Sequence, residues 1–549
     1  MKLIKKLSLI FCISLPVMAF TFKFSILDRQ RTFGGDWGYF SQLYEAARLS
    51  IVKYHEFPWW NSWSIGGVPL YANPQFGLFS IPMLLVLIFG TITGLHISVM
   101  VYFLLGFWGM YLLLNRLHAS SKYISILLSY IWIFSGFPVS HMAVGHLTFS
   151  AYLLCPWFFL TLINIHKKKG WIWFSLVASY LIVQSPHYIA IEVLAIGAMV
   201  VLVQLVHLYY SKKYSMINLL RPYLKCLLII LPLVFIKLFF VFQYLHEYPR
   251  LTSLDAVVSS NLLVSSLTLR NFQSLQMTLK AQYHWWEYAD YIGIISFALF
   301  CYLFISNLVK NFRLDVIRWA IIISIGVAFL LSMGPFSEIS PYTLIHHLPI
   351  FNEMRIPSRW IGWVSFGIIL YLARLPKKPI IYILLVLSLV DVCIANYGIL
   401  NSYQAPYTSP NSYSQTVIPY EYYNYNQTSL SAVYATQSNV DQVDGYEPIL
   451  GFGGDYNPDY YSTVSNRCGI KQGCNFIESK NAVVKYWSPL KIILKRTSSG
   501  PIILDMNPGK NWVVNGSYIF KNYRVIELKK NFVITNPAQN IVITFSPTF

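Results

Sequence analysis

Charge is what this sequence has least of. Asp, Glu, Lys and Arg make up 11% of its 549 residues, where a soluble domain carries about 25%. Hydrophobic residues supply 56%, and the mean hydropathy is +0.50. These values exclude an ordinary soluble domain and point to a polytopic α-helical membrane protein. Acid is scarcer still: 22 Asp and Glu stand against 41 Lys and Arg, for a formal net charge of +19. The basic clusters are short and interrupted by apolar runs, so the accumulation of Lys and Arg in cytoplasmic loops accounts for them and nucleic acid is set aside. Cysteine is also sparse, with seven in all. Cys12, Cys155, Cys226, Cys301 and Cys393 lie in apolar segments, where a thiol packs as a small hydrophobe. Cys468 and Cys474 lie close together in a polar region, and an extracytoplasmic placement of that region predicts a disulfide between them. No period suggests a solenoid or propeller.

What is abundant is apolar sequence in lengths of about 20 residues, the length that crosses a bilayer as a helix. Candidate spans fall near 7–24, 95–115, 122–138, 147–165, 171–188, 189–209, 224–243, 291–309, 316–333, 359–374 and 378–398, about eleven in all. The first follows Lys2, Lys5 and Lys6, the pattern of a signal sequence, read here as an uncleaved anchor. The run 78–90 is shorter and contains Pro82, so it reads as a re-entrant or interfacial piece. If it does not cross, the N-terminus and the turns carrying Arg116, Lys167 to Lys169, Lys212, Lys213, Arg221, Lys310, Arg313, Arg374, Lys377 and Lys378 share one side. The positive-inside rule makes that side cytoplasmic. Loops 25–94, 244–290 and 334–358, and everything after about 399, are then expected outside.

The sequence predicts two parts, a membrane domain over 1–398 and an extracytoplasmic part over 399–549. Residues 402–461 are rich in Tyr, Asn, Ser, Gln and Pro and suggest an irregular or sugar-contacting surface. Beyond them, short β-branched runs at 491–494, 501–504, 512–514, 524–526 and 540–544 alternate with turn residues, the pattern of a small β-sandwich.

Candidate chemistry concentrates in the expected outer loops. Asp36, flanked by Gly34, Gly35 and Gly38, could take a proton from an acceptor hydroxyl as general base; the plainer alternative is a solvated loop acid or a cap for a helix starting near Tyr39. Glu45 stands at helical spacing from Arg48 and pairs with it on that reading. Trp37, Trp60, Asn61, Asn73 and Gln75 offer aromatic faces and amides suited to a sugar ring or lipid headgroup, although tryptophans also gather at membrane interfaces without a catalytic role. Glu287 and Asp290, with His284 nearby, could bind a divalent metal, Mg or Mn, or assist Asp36; no tight ligand spacing supports a metal. Arg355 and Arg359 are unusual on a face poor in basic residues, and their planar forks match phosphate oxygens; anchoring to anionic lipid is the alternative. His141, His146, His187 and Glu192 read as packing or lining groups.

Taken in order, Pro58, Trp60, Asn61, Gly67, Pro69, Ala72, Asn73 and Gln75, then Tyr291 and Gly293, then Leu348, Pro349, Arg355, Pro357 and Arg359 resemble the motifs of the YfhO-like bacterial membrane proteins of the glycosyltransferase-C superfamily. The segment 507–512 is similar to a turn in that family's C-terminal β domain. The resemblance implies an enzyme of the bacterial cytoplasmic membrane that moves a sugar from a polyprenyl-phosphate carrier to an extracytoplasmic glycan, lipid or protein. It also implies that the acid of the first outer loop, Asp36 here, is the catalytic base. This chain has no second acid beside Asp36 and is shorter than typical members. Two readings from other classes compete: a lipid-linked glycan flippase or carrier, which needs functional polar groups through the spans, and a non-catalytic assembly factor, for which Asp36 is dispensable.

Overall fold

The computed structural model describes residues 2–22, 31–32, 34, 36–64, 67–117, 121–184, 188–210, 216–247, 256–270, 282–309, 316–348, 351–402, 405–406, 420–422, 433, 436–437, 440–442, 481–504, 506, 511–515, 517–518, 532–534 and 538–547. Cys468, Cys474, most of 402–461, the run 524–526 and the turn 507–510 lie outside them. Helices stand at all eleven expected positions. Among the described residues, five stretches are long and apolar enough to cross a membrane: Thr91–Arg116, Lys122–Ala143, Tyr188–Val206, Leu220–His246 and Pro379–Leu400. The described apolar helices Ile10–Thr21, Gly170–Gln184, Ile294–Val309 and Val316–Ser332 are shorter. The expected span at 147–165 is broken into a 3-10 helix, Leu147–Leu154, and an α-helix, Cys155–Leu162, with Pro156 in its first turn.

The chain forms two compact units, one of residues 1–29, 96–235 and 251–404, the other of 30–95, 236–250 and 405–549. The first loop therefore groups with the C-terminal strands, a division that sequence order does not suggest. The interior of the first unit is aromatic. Trp132 donates its indole N–H to the Tyr152 hydroxyl at 3.1 Å, and that hydroxyl donates to the Gly362 carbonyl at 2.6 Å. These two buried rings are tolerated there because each polar edge finds a partner.

The second unit is built on a five-stranded antiparallel sheet in the order Ser517–Tyr518, Trp512–Val514, Asn540–Phe545, Lys491–Arg496 and Ala482–Ser488. Alternation along two of the three inner strands turns Ile492 and Leu494, then Ile541 and Ile543, to the core. A separate pair joins Ile502–Leu504 to Phe532–Ile534. The first loop packs on the large sheet through its tryptophans. Trp60 meets Trp512 edge-on at 5.9 Å and Phe545 at 5.5 Å, and Trp63 meets Trp487 at 5.8 Å. Glu56 completes the junction, accepting from the Ser488 hydroxyl at 2.6 Å and the Leu490 N–H at 3.1 Å.

Within this loop, Ile81–Phe89 is a helix of nine residues, capped by the Ser80 hydroxyl on the Met83 N–H and started by Pro82. At roughly 1.5 Å per residue it is less than half a bilayer core in length. Gly94 lets the next helix lie against it, since a Cβ there would come within 2.6 Å of the Leu85 carbonyl and the Val86 nitrogen. Backbone cannot yield as a side-chain tip can. Gly94→Ala is therefore expected to destabilise the full chain by about 1–3 kcal/mol, read as a lower midpoint in a thermal scan in detergent; an unchanged midpoint would refute this packing.

Candidate functional site

The candidate residues fall into two groups, one in each unit. In the second unit, Asp36 stands at the N-terminal boundary of the helix Trp37–Val52, half-exposed, with helical backbone angles and no capping hydrogen bond from its side chain. It thus occupies the cap position without acting as the cap. A carboxylate there is favoured by the helix dipole by about 0.3–1 kcal/mol. Along the same helix Glu45 is fully buried, gripped by Arg48 at 2.6 and 2.9 Å and by the Thr91 hydroxyl, so the expected pairing forms.

The motif amides are tied to this helix. Asn61 and Gln42 exchange side-chain hydrogen bonds at 2.9 and 3.2 Å, and Asn61 also accepts from the Trp63 N–H. Asn73 donates to the Tyr39 hydroxyl at 2.9 Å and accepts from the Gln75 N–H at 2.8 Å. Asn73 thereby anchors the loop to the first turn after Asp36. Trp37 and Trp60 are 1% and 3% exposed, so they pack behind the loop instead of forming an open aromatic face. Gly67 is required by Trp60: its φ is +102°, and a Cβ would fall 2.3 Å from the indole nitrogen.

Lys237 is the residue the sequence reading passed over. It sits in the apolar helix Met216–Glu247, buried, and its ammonium donates to the carbonyls of Tyr71, Asn73 and Phe76 at 2.6, 2.9 and 2.9 Å. Three donors meet three acceptors, which is what allows the charge to be buried. A lone Lys inside the run 227–242 is a signal that periodicity ignores.

In the first unit, Arg359 and Glu287 form a buried bidentate ion pair, Nε to Oε2 at 2.6 Å and Nη2 to Oε1 at 2.7 Å. The guanidinium lies 4.9 Å from the Phe149 ring centre and 4.3 Å from that of Tyr188. Burial pushes the Glu287 carboxyl up, but the Arg359 charge and hydrogen bonds, aided by His146 and His141, outweigh it and hold the group at about 2. Asp290 responds oppositely. Burial raises it well above the carboxylate range, against the pull of the Ser365 hydroxyl and the Phe137 N–H, the latter at 3.2 Å. The two carboxyls grouped as one acidic pair by sequence are thus shifted in opposite directions.

His141 and His146 share an Nδ1 to Nδ1 hydrogen bond of 2.8 Å, and His141 stacks on Phe149 at 4.0 Å. Glu192 is buried and accepts from the Trp363 indole at 2.8 Å. Arg355, four residues before Arg359, is exposed between the buried side chains of Met354 and Ile356. His284 is exposed and stacks on Trp286. Among the described residues, no three His, Cys, Asp or Glu side chains gather to hold a metal ion.

No family model matches the chain, and no curated protein matches it, so membership of the YfhO-like family is not shown. Among solved structures, it is similar to the single-particle cryo-EM structure of arabinofuranosyltransferase AftD from Mycobacteria, at 12% identity and a TM-score of 0.44. The match covers 72% of this chain and 27% of that one, so the chain spans about a quarter of that protein's length. A likeness at this level decides neither fold nor activity.

The two carboxyls predict opposite pH behaviour. Glu287 lies below its ordinary 4.5, so its stabilisation is complete above that value and is lost as pH falls toward about 2. Glu287→Gln strands the buried guanidinium and is expected to cost about 3–5 kcal/mol at neutral pH. Asp290, raised in the fold, loses stabilisation as pH climbs, and Asp290→Asn is expected to hold or gain stability at pH 7. Chemical denaturation of both variants between acid and neutral pH measures this, and equal losses would refute the assignment.

Proposed function

We propose that this protein is a membrane glycosyltransferase that moves a sugar from a polyprenyl-phosphate-linked donor to an extracytoplasmic acceptor. Asp36 acts as general base: it removes the proton of the acceptor hydroxyl as that oxygen attacks the anomeric carbon. The bond to the donor phosphate breaks in the same displacement, and the configuration inverts. Arg355 offsets the charge of the departing polyprenyl phosphate. Arg359, with Nε and Nη2 held by Glu287, is the second arginine of this phosphate-binding reading. The structural observation that most supports this reading is the bond from motif Asn73 to Tyr39, which ties the amide-bearing loop to the turn that begins at Asp36. The other support is the ordered set of motifs resembling the YfhO-like proteins.

A carrier reading asks for polar groups within the spans, and Glu192, Lys237 and Asp391 are such groups. Each has a partner within the protein: Glu192 has Trp363 on Oε2, with Oε1 unbonded among the described residues, Lys237 has three carbonyls, and Asp391 has Arg270 and the Tyr291 hydroxyl. Their partners fit stabilisation of the fold better than a transport path.

Asp36→Asn removes the base with little change in shape. Sugar transfer from a polyprenyl-phosphate donor in reconstituted membranes is expected to fall by about 10²-fold or more, with expression and melting behaviour retained. Undiminished transfer would remove Asp36 from the mechanism.

A further inference from the structure

Arg355 carries an exposed side chain on a peptide that is held unusually firmly. Its N–H donates to the Tyr188 hydroxyl at 3.1 Å, and its carbonyl accepts from the Tyr283 hydroxyl at 3.0 Å. One residue earlier, the Met354 carbonyl accepts from the Tyr342 hydroxyl at 2.6 Å. Tyr188 and Tyr342 are each 2% exposed, and Met354 and Ile356 on either side of the arginine are 2% and 3% exposed. Three phenols from three separate segments thus converge on two consecutive residues outside regular secondary structure. Tyr188 does more, because its ring face lies under the Arg359 guanidinium. The hydroxyl of one ring fixes Arg355 while its face fixes Arg359.

Surface loops commonly leave such backbone groups to water. A side chain meant only to be solvated gains nothing from an immobilised Cα, whereas one meant to meet an anion loses less freedom on binding if its root is already fixed. We propose that Tyr188, Tyr283 and Tyr342 form a clamp of positioning residues that presents the Arg355 guanidinium to a phosphate borne by a membrane lipid, the polyprenyl phosphate of the transfer reaction. This rests on the function proposed above and extends it to residues that no motif marks. The bound group is a phosphate ester at a membrane surface, a chemistry that polyprenyl phosphate and anionic phospholipid share.

The test measures binding of undecaprenyl phosphate, undecaprenol and phosphatidylglycerol to the full chain in nanodiscs of neutral lipid. It compares wild type, Arg355→Ala, and Tyr188→Phe, Tyr283→Phe and Tyr342→Phe, each tyrosine change also in the Arg355→Ala background. Wild type is expected to prefer undecaprenyl phosphate over both other lipids, and Arg355→Ala to lose about tenfold or more of that affinity. Each Tyr→Phe change, which removes one hydroxyl, is expected to weaken undecaprenyl phosphate by about two- to tenfold, leave undecaprenol unaffected, and change nothing further once Arg355 is Ala. Weakening that persists in the Arg355→Ala background marks a general structural role and overturns the clamp. Full affinity in all three tyrosine variants, with Arg355→Ala impaired, also overturns the clamp but leaves the donor-binding reading standing. No preference for undecaprenyl phosphate in wild type, or a preference for phosphatidylglycerol, overturns both.

Discussion

In a protein this poor in charge, a buried ion needs a partner of opposite charge or well-placed hydrogen bonds, and the Arg359–Glu287 pair is the clearest instance. Both side chains are nearly inaccessible, so either alone would carry a large desolvation penalty. Two parallel hydrogen bonds hold the carboxylate, and the rings of Phe149 and Tyr188 both lie against the guanidinium. Phe149, Tyr188, His141 and His146 all lie within the influence of that pair. It fixes the end of the segment bearing Arg355, because Tyr188 touches both arginines. The chemistry proposed for the exposed arginine therefore depends on an ion pair that need not touch a ligand.

Lys237 plays the corresponding part in the other unit. A lysine in an apolar helix is costly unless each of its three hydrogens is taken up, and the carbonyls of Tyr71, Asn73 and Phe76 take them. The loop carrying Asn73 and Gln75 is thereby folded around a charge. Its opposite end is held by Trp60, Trp63 and Glu56 against the C-terminal sheet. An irregular loop of many polar backbone groups becomes definite because a cation and a sheet supply what a helix would otherwise provide.

The helical segments were readable because a bilayer demands about 20 apolar residues per crossing, and helices occur at each expected position. The strands at 491–494 and 540–544 were readable from alternation, since one face packs against the core. The strand Ala482–Ser488 escaped because its exposed lysine and tyrosine break that alternation. Helix Trp37–Val52 was legible only as the pairing of Glu45 with Arg48 and as a helix start near Tyr39; its polar residues are consumed by tertiary contacts that composition cannot show.

The sequence by itself determined that the chain is a multi-helix apolar protein with a terminal sheet, and where its acids, amides and arginines stand along the chain. Periodicity and composition report these because they follow from solvent preference, one residue at a time. Only the tertiary structure decided that burial and partners shift the Glu287 and Asp290 carboxyls in opposite directions, that Trp60 is packing, that Arg359 is paired while Arg355 is exposed, and that Lys237 organises the first loop. These are properties of partners far apart in sequence, and protonation, exposure and pairing follow from which groups burial brings together.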